Sequence, residues 1–468
     1  MPQPARHSST SATRRHRAPS QARGQSERGL SQRERLIESM VELSAQAGYQ
    51  AVSIAQVSSH AGVSSATFYE QFENREDCLL AAYRAANERT FDRMRRVMGD
   101  RDWYHATRDA FQELLKGVEA EPSAARVQFI EARAGGPRLL AEIAAALDDF
   151  EASAEALLAH PPAGSTTLDV PAKALVGAVR SLAARHLRTH SEDRLPLLAD
   201  DIVAWMGSYA APAERDRWSV GPDALLPAGT AHEDLPVGAA ALAVEPLPRG
   251  RHRLPPAAVA RSQRTRIILA TAEATMAKGY ADTTVADIVA TAGVAKESFY
   301  KHFRDKQHAF LESQQHFTQD ILDLCVGSFF AEELWPQRVW SALRTLLMLI
   351  AGNPAIAHLR LVECYAAGPE AIRRAEEITR SFTIFLEEGY RQRPDARGLP
   401  HLYSQAIAGA IFEILQREVE AGRTTQAPRL LPLLTYIAIA PFTGPDEAVA
   451  LVEGMSSELT GAPPAPVN

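Results

Sequence analysis

Apolar and polar positions recur along this chain with helical spacing, and the pattern is strongest in two separate stretches. Leu36, Ile37, Met40, Val41 and Leu43 predict a helix over residues 31–47. A Ser31-x-x-Glu34 capping box opens it and Gly48 closes it. Ile54, Val57 and Ala61 then share one face of a second helix, Gly62 marks a sharp turn, and Phe68 and Phe72 repeat at i,i+4 on a third. That arrangement buries the phenylalanines and turns residues 64–67, 69 and 71 outward.

The same pattern returns further along. Gly48 to Arg75 aligns without a gap with Gly279 to Lys306, 231 residues later. Val285, Ile288, Ala292, Gly293, Phe299 and Phe303 take the places named above. Arg33, Arg35, Ile37 and Glu42 match Arg264, Arg266, Ile268 and Glu273, so the preceding helix, residues 263–278, belongs to the repeat. Further on, EARAGGP from Glu131 lines up with ECYAAGP from Glu363, one residue out of the earlier register. Helical periodicity continues through Val176, Val179, Leu182 and Leu187 and through Leu197, Leu198, Ile202, Val203 and Trp205. It resumes at Ile407, Ile411, Ile414 and Leu415, and again from Leu430 to Ile437.

The wording AGVSSATFYEQFENR from Ala61, with its counterpart AGVAKESFYKHFRDK from Ala292, resembles the DNA-binding domain of the TetR family of bacterial regulators. The resemblance implies an all-α chain of two units, each a three-helix DNA-binding domain followed by a helical regulatory bundle whose last two helices pair between subunits. The expected organisation is an Arg-rich tail over 1–30 and a DNA-binding domain over 31–80. A regulatory domain over 81–212, a Pro-, Ala- and Gly-rich linker over 213–258 and a second DNA-binding domain over 259–310 follow. The second regulatory domain covers 311–460 and a tail 461–468. As a coil the linker spans on the order of 35–40 Å, enough to let two units serve one DNA site.

The resemblance also assigns contacts. Ser53 and Thr284 at the start of the second helix, with Thr67 and Ser298, Tyr69 and Tyr300, Gln71 and His302, and Arg75 and Lys306, are expected to hold phosphates and set the register. Arg75 and Lys306 put a cation at a helix N-terminus, which the macrodipole disfavours, so a phosphate partner is the expected reason for them. Base reading falls to Ser64, Ser65 and Ala66 in the first copy and to Lys296 and Glu297 in the second. Small side chains suit a thymine methyl, Lys reaches guanine and Glu accepts from cytosine. Ser64 can cap its helix; Ala295, at the matching position, cannot.

Charge separates the copies. Residues 31–80 hold three basic and seven acidic side chains, whereas residues 249–310 hold eleven basic and five acidic. Phosphate neutralisation drives non-specific affinity, so the second copy is expected to grip DNA harder. The tail carries six arginines against one acid, Glu27, and either stays disordered or supports the acidic first copy. Over the whole chain the net charge is −7.

The family's regulatory bundle takes a small, often apolar or aromatic, inducer. Candidate pocket residues are Trp103, Phe111, Phe129 and Arg133 in the first unit and Trp340, Met348, Tyr365 and Phe382 in the second, with core packing as the competing role. Three distant cysteines, Cys78, Cys325 and Cys364, form neither a disulfide framework nor a zinc spacing. His186 and His190 have metal-compatible spacing but no acidic third ligand nearby, so no metal or cofactor is expected. Catalytic loop signatures are missing from the sequence, and no apolar run reaches the roughly 20 residues that span a bilayer. The expectation is a cytoplasmic, ligand-responsive repressor, not an enzyme, whose two units pair internally, with a dimer of chains also open, on a double-stranded operator with two unlike half-sites. The competing readings are a regulator in which only the second unit binds DNA, and a small-molecule scaffold or enzyme with relict hairpins.

Overall fold

In the computed structural model, residues 30–97, 103–159, 166–212 and 255–460 are described. The Arg-rich tail up to residue 29, most of the linker, the Trp103 side chain and the last eight residues lie outside the described residues.

The first unit begins with α1 (Gln32–Ala47), α2 (Ile54–His60) and α3 (Ser65–Gln71) and continues into the long α4 (Arg75–Val97). Next come α5 (Trp103–Ala120), α6 (Pro122–Phe129), a 3-10 turn at Glu131–Ala134 and α7 (Pro137–Ala159). The unit ends with α8 (Ala172–Arg188) and α9 (Ala199–Gly207), flanked by a short antiparallel pair, β1 (Thr166–Leu168) and β2 (Ala210–Pro212).

The second unit repeats this order. It comprises α10 (Pro256–Lys278), α11 (Val285–Ala292), α12 (Lys296–His302), α13 (Lys306–Phe330), α14 (Trp335–Gly352), α15 (Pro354–Leu361), α16 (Cys364–Ala367) and α17 (Pro369–Ser381). After a 3-10 stretch at Phe382–Arg391 come α18 (Leu402–Glu420), α19 (Leu431–Thr443) and an additional α20 (Pro445–Thr460). The fold is all-α apart from the small strand pair. Helix α10 starts at Pro256, ahead of the expected residue 263 and inside the expected linker. Proline at the first helical position has its φ already set and needs no N–H partner, so it extends the helix backwards.

Caps set the ends of the first helices of each unit. Ser31 and Glu34 make both bonds of the capping box, as do Ser53 with Gln56 and Thr284 with Asp287. Gly62 and Gly293 take φ values of 65° and 59°, the left-handed backbone that the turn demands.

The two units share the larger of two core clusters, the first helix-turn-helix packing with α4 and α7 in a smaller one of its own. A single cluster of buried side chains runs from Phe111 and Leu115 through α8 and α9 into α13, α14, α18 and α19. Helices α8 and α18 lie along one another at its centre. Their close approach depends on two glycines at matching places. A Cβ on Gly177 would stand 2.9 Å from Glu413 Cβ, and one on Gly409 would stand 2.7 Å from Ser181 Cβ. Tyr209, fully buried after α9, donates its hydroxyl to the Ile437 carbonyl in α19 at 2.8 Å. The chain therefore pairs its own two halves through the faces of their last helices.

Candidate nucleic-acid interface

Each helix-turn-helix segment is held from beneath by its phenylalanines. Phe68 and Phe72 are buried with centroids 5.6 Å apart, and Phe299 and Phe303 repeat that spacing. With these rings inward, α3 and α12 must present their other faces to solvent. Tyr69 is 60% exposed and Tyr300 52%, each set edge-on to the preceding Phe. Ser64, Ser65 and Ala66 are exposed in the first copy, and Lys296 and Glu297 in the second. Thr67, Gln71, Ser298 and His302 are half-buried along the same helices.

Local chemistry distinguishes the copies. Ser64 Oγ accepts from the Thr67 amide at 3.0 Å and lies 3.0 Å from the Thr67 hydroxyl. Ala295 offers α12 no side-chain cap. At the entry to α2 and α11, the Ser53 and Thr284 hydroxyls are already committed to capping bonds. Asp287, which closes the second box, also pairs with Lys278, and that cation together with Thr284 holds its carboxyl well below the usual range. His302 is held below the ordinary histidine value by partial burial and then by Arg264 and Lys301, so it is neutral at pH 7.

Arg75 and Lys306 have partners within the chain. Arg75 Nη1 donates to the Val52 carbonyl at 2.7 Å and its guanidinium stacks 4.3 Å from the Tyr49 ring centroid. Lys306 Nζ donates to the Tyr280 carbonyl at 2.6 Å and lies 4.3 Å from the Tyr280 ring. Both cations tie the start of the long helix to the segment ahead of α2 or α11. These carbonyls and the ring compensate the dipole penalty, so a phosphate is not needed to explain either residue.

The fold also supplies residues that the sequence reading passed over. Glu131 Oε2 accepts from the Tyr49 amide at 2.9 Å, and Glu363 Oε2 accepts from the Tyr280 amide at 2.7 Å. Each carboxylate fastens the following helical body to the segment between the first two helices of its unit. Burial pushes both carboxyls up, and the backbone amides partly offset this. Arg126 stands 3.6 Å from Glu131, whereas His358, at the matching place, stands 3.8 Å from Glu363. The signal was present in the shared Glu that opens EARAGGP and ECYAAGP.

The two helix-turn-helix segments flank one cleft of about 980 Å³, bordered by Gln50 and Arg75 on one side and by Lys278 and Asp282 on the other. They therefore sit at the same end of the body.

The expected pocket residues divide among several cavities. Phe111 and Phe129 line a space of about 50 Å³ inside the first unit. Phe382 borders spaces of about 30 and 40 Å³ inside the second. Trp340 is buried in the shared core and Met348 is half-buried; neither is among the residues lining these spaces. Arg133 and Tyr365, expected in separate pockets, come together between the units, the guanidinium 5.5 Å from the ring centroid. Arg133, only 3% exposed, pairs with Glu413 and with Glu420, the latter at 2.9 Å.

His186 Nδ1 is 3.0 Å from the Ser191 hydroxyl, and His190 has the left-handed φ of 50° just past the helix end. Among the described residues no group of three His, Cys, Asp or Glu side chains is placed to hold a metal ion. The three thiols are free and buried, which pushes each up to about 12. No single helix among the described residues is long and apolar enough to cross a membrane.

Residues 36–82 and 267–312 match the family described as bacterial regulatory proteins of the tetR family. No curated protein matches the chain. Among solved structures, the fatty acid degradation regulator FadR from Bacillus halodurans is 18% identical, covering 37% of this chain and 96% of its own, with a TM-score of 0.34. FadR from Bacillus subtilis, solved with stearoyl-CoA, is 20% identical with the same coverage and TM-score. A TetR family transcription regulator from Marinobacter aquaeolei VT8 is 17% identical, covering 43% of this chain and 97% of its own, with a TM-score of 0.31.

Proposed function

We infer that this chain, a tandem TetR-type transcriptional regulator with two DNA-binding domains, is a ligand-responsive repressor that reads an operator of two unlike half-sites. The observation that carries this reading is the pairing of two differently surfaced recognition helices within one chain, α3 presenting Ser64, Ser65 and Ala66 and α12 presenting Lys296 and Glu297. A dimer of identical chains offers two identical faces to a palindrome; this chain offers two different ones. Covalent linkage gives the second domain a high effective concentration once the first has bound. Half-sites about 34 Å apart, one turn of DNA, follow from the usual geometry of paired recognition helices.

The proposed division of labour places DNA contact in residues 31–80 and 259–310 and ligand response in the helical bodies that follow. A ligand that prefers a spacing of α3 and α12 unsuited to DNA releases the operator by its differential affinity for that state. Because the units already pair internally, a single 51.0 kDa chain is the expected species in solution.

The test is selection of bound sequences from random DNA with the wild type, with Ser65→Arg and with Glu297→Ala. Two unlike half-sites, each altered by one substitution, support the reading. A change with Glu297→Ala alone shows that only the second unit reads bases, and no enrichment at all removes the regulator reading.

A further inference from the structure

The interface between the units is symmetric in its backbone and asymmetric in its charges. The 232-residue offset that relates Glu131 to Glu363 also relates Arg185 to Arg417 and Asp148 to Arg380, and it relates Glu151 to Thr383. On one side of the interface Arg417 is neutralised by Asp148 and Glu151. On the other side the same places hold Arg185 facing Arg380 and Thr383. Two arginines and a hydroxyl thus stand where the first side has one arginine and two carboxylates.

Both sides border open space, Asp148, Glu151 and Arg417 lying on the cleft of about 980 Å³, but only the second side borders it with cations that lack carboxylates. A cavity of about 200 Å³ lies there between the units. Arg133 and Arg180 on its wall share Glu413, and Arg188 pairs with Glu376. Arg185 and Arg380 have no carboxylate within ion-pair distance among the described residues, and Arg360 spends one nitrogen on the Gln314 carbonyl and the Thr318 hydroxyl. The Nε of Arg188 is buried without a hydrogen-bond partner there. Burial pushes Arg188 and Arg360 down to about 10, still far above neutrality, so both stay cationic. Burial and then the neighbouring Arg380 lower Arg185. Arg188 pairs with Glu376 yet keeps its Nε buried and unbonded, while half-buried Arg185 and exposed Arg380 bring charge that no carboxylate cancels, so an anion between them is favoured.

We propose that this cavity is the effector site, and that it takes a small organic anion whose carboxylate or phosphate is held by Arg185, Arg188 and Arg380, with an apolar body against Phe129, Tyr365 and Phe412. This rests on the reading of the chain as a ligand-responsive regulator and names the ligand's class and place. Arginine forks match both anions in two-bond geometry. At ~10–15 Å³ for each water-sized group, the volume admits a ligand of on the order of a dozen heavy atoms. The spaces inside each unit are several times smaller.

The site is wired to both DNA-binding domains. Phe129 and Arg133 flank Glu131, the carboxylate that holds the Tyr49 amide, and α6 packs on α1. Arg360 and Tyr365 flank Glu363, which holds the Tyr280 amide, and α15 packs on α10. An anion drawn between the two walls moves the segments that carry both fastenings and so changes the relation of α3 to α12.

The experiment uses the full chain at constant ionic strength and follows its melting temperature. Octanoate and benzoate form a carboxylate arm, phenyl phosphate and inorganic phosphate a phosphate arm, and octanol and benzyl alcohol serve as neutral controls. Stabilisation by members of one arm but not by the alcohols is expected, and the responding arm identifies the head group. In Arg380→Asp/Thr383→Glu, which copies the Asp148 and Glu151 side, the free chain should melt higher than wild type and the anion increment should vanish. Arg185→Gln should weaken the anion about tenfold or more. Stabilisation retained in both variants, equal stabilisation by the alcohols, or none by any probe overturns the proposal.

Affinity for the selected operator is read alongside, with a change of about tenfold expected when the anion binds. Anion stabilisation without any selected operator sinks the regulator reading and leaves the anion site standing. Anion binding that leaves operator affinity unchanged overturns the effector role.

Discussion

The two halves of this chain share a backbone plan and differ where charge matters. The first DNA-binding domain is acidic, well capped by Ser64 and faced with small side chains. The second is basic, uncapped at Ala295 and faced with Lys296 and Glu297. Repetition preserved what packing needs, namely Phe68 and Phe299, Gly62 and Gly293, and Glu131 and Glu363. It released what faces solvent, DNA or the other half. Matched substitutions in the two halves therefore test where equivalence ends.

The largest contrast is expected at Glu413 and its counterpart Ser181. Burial pushes the Glu413 carboxyl up, but Arg133 and Arg180 outweigh burial and hold it below the usual range. Glu413→Ala leaves Arg180 buried without a carboxylate and Arg133 with Glu420 alone, and should cost about 3 kcal/mol in denaturant unfolding. Ser181→Ala should cost about 0.5 kcal/mol or less. Since the folded value of Glu413 is depressed, its contribution is complete above the ordinary value of 4.5 and is lost as pH falls through the folded value. The wild type should lose this stability in acid, whereas Glu413→Gln should lack that component of the pH response.

Next come the two fastenings. Glu131→Ala and Glu363→Ala each strand a backbone amide, at about 1–3 kcal/mol. The first should cost more, because it also removes the carboxylate beside Arg126, while burial keeps His358 beside Glu363 below its ordinary value and neutral at pH 7. Hydrogen exchange at the Tyr49 and Tyr280 amides checks both, and equal costs would show that the Arg126 contact contributes nothing.

A smaller effect separates the recognition helices. Ser64→Ala should destabilise α3 by about 1 kcal/mol and Ala295→Ser should stabilise α12 by a similar amount. Thermal unfolding of the pair of variants checks both signs.

The smallest contrast is between Gln71 and His302. His302 lies below the ordinary value of 6.5, so the free chain keeps it neutral at pH 7, and the stability this brings is lost as pH falls below 6.5. A phosphate partner favours the charged ring. DNA binding should then take up a proton and tighten by up to about fivefold as pH falls from 7.5 towards 6. His302→Gln should flatten this response in an operator-binding titration, and an unchanged slope would remove His302 from the contact set.

Much of this was legible in the sequence. Period and repeat located both helix-turn-helix segments, because the residues that cap, turn and bury them lie within a few positions of one another. Ser31 with Glu34, Gly62 and Phe68 with Phe72 are all local signals. Exposure of Tyr69 and Tyr300 followed from the inward phenylalanines, since one face of a short helix can pack only once. The intrachain bonds of Arg75 and Lys306 were not legible for the opposite reason: their partners, the Val52 and Tyr280 carbonyls, lie 23 and 26 residues away, and no periodicity reports such a bond.

The tertiary structure alone decided how the halves meet. Gly177 against Glu413, Arg133 against Tyr365, and Arg185 facing Arg380 join residues about two hundred positions apart. Local spacing determines which side chains share a helix face. Which two faces close on each other, and whether the charges between them cancel or leave room for an anion, depends on three-dimensional packing that brings distant positions within a few ångströms.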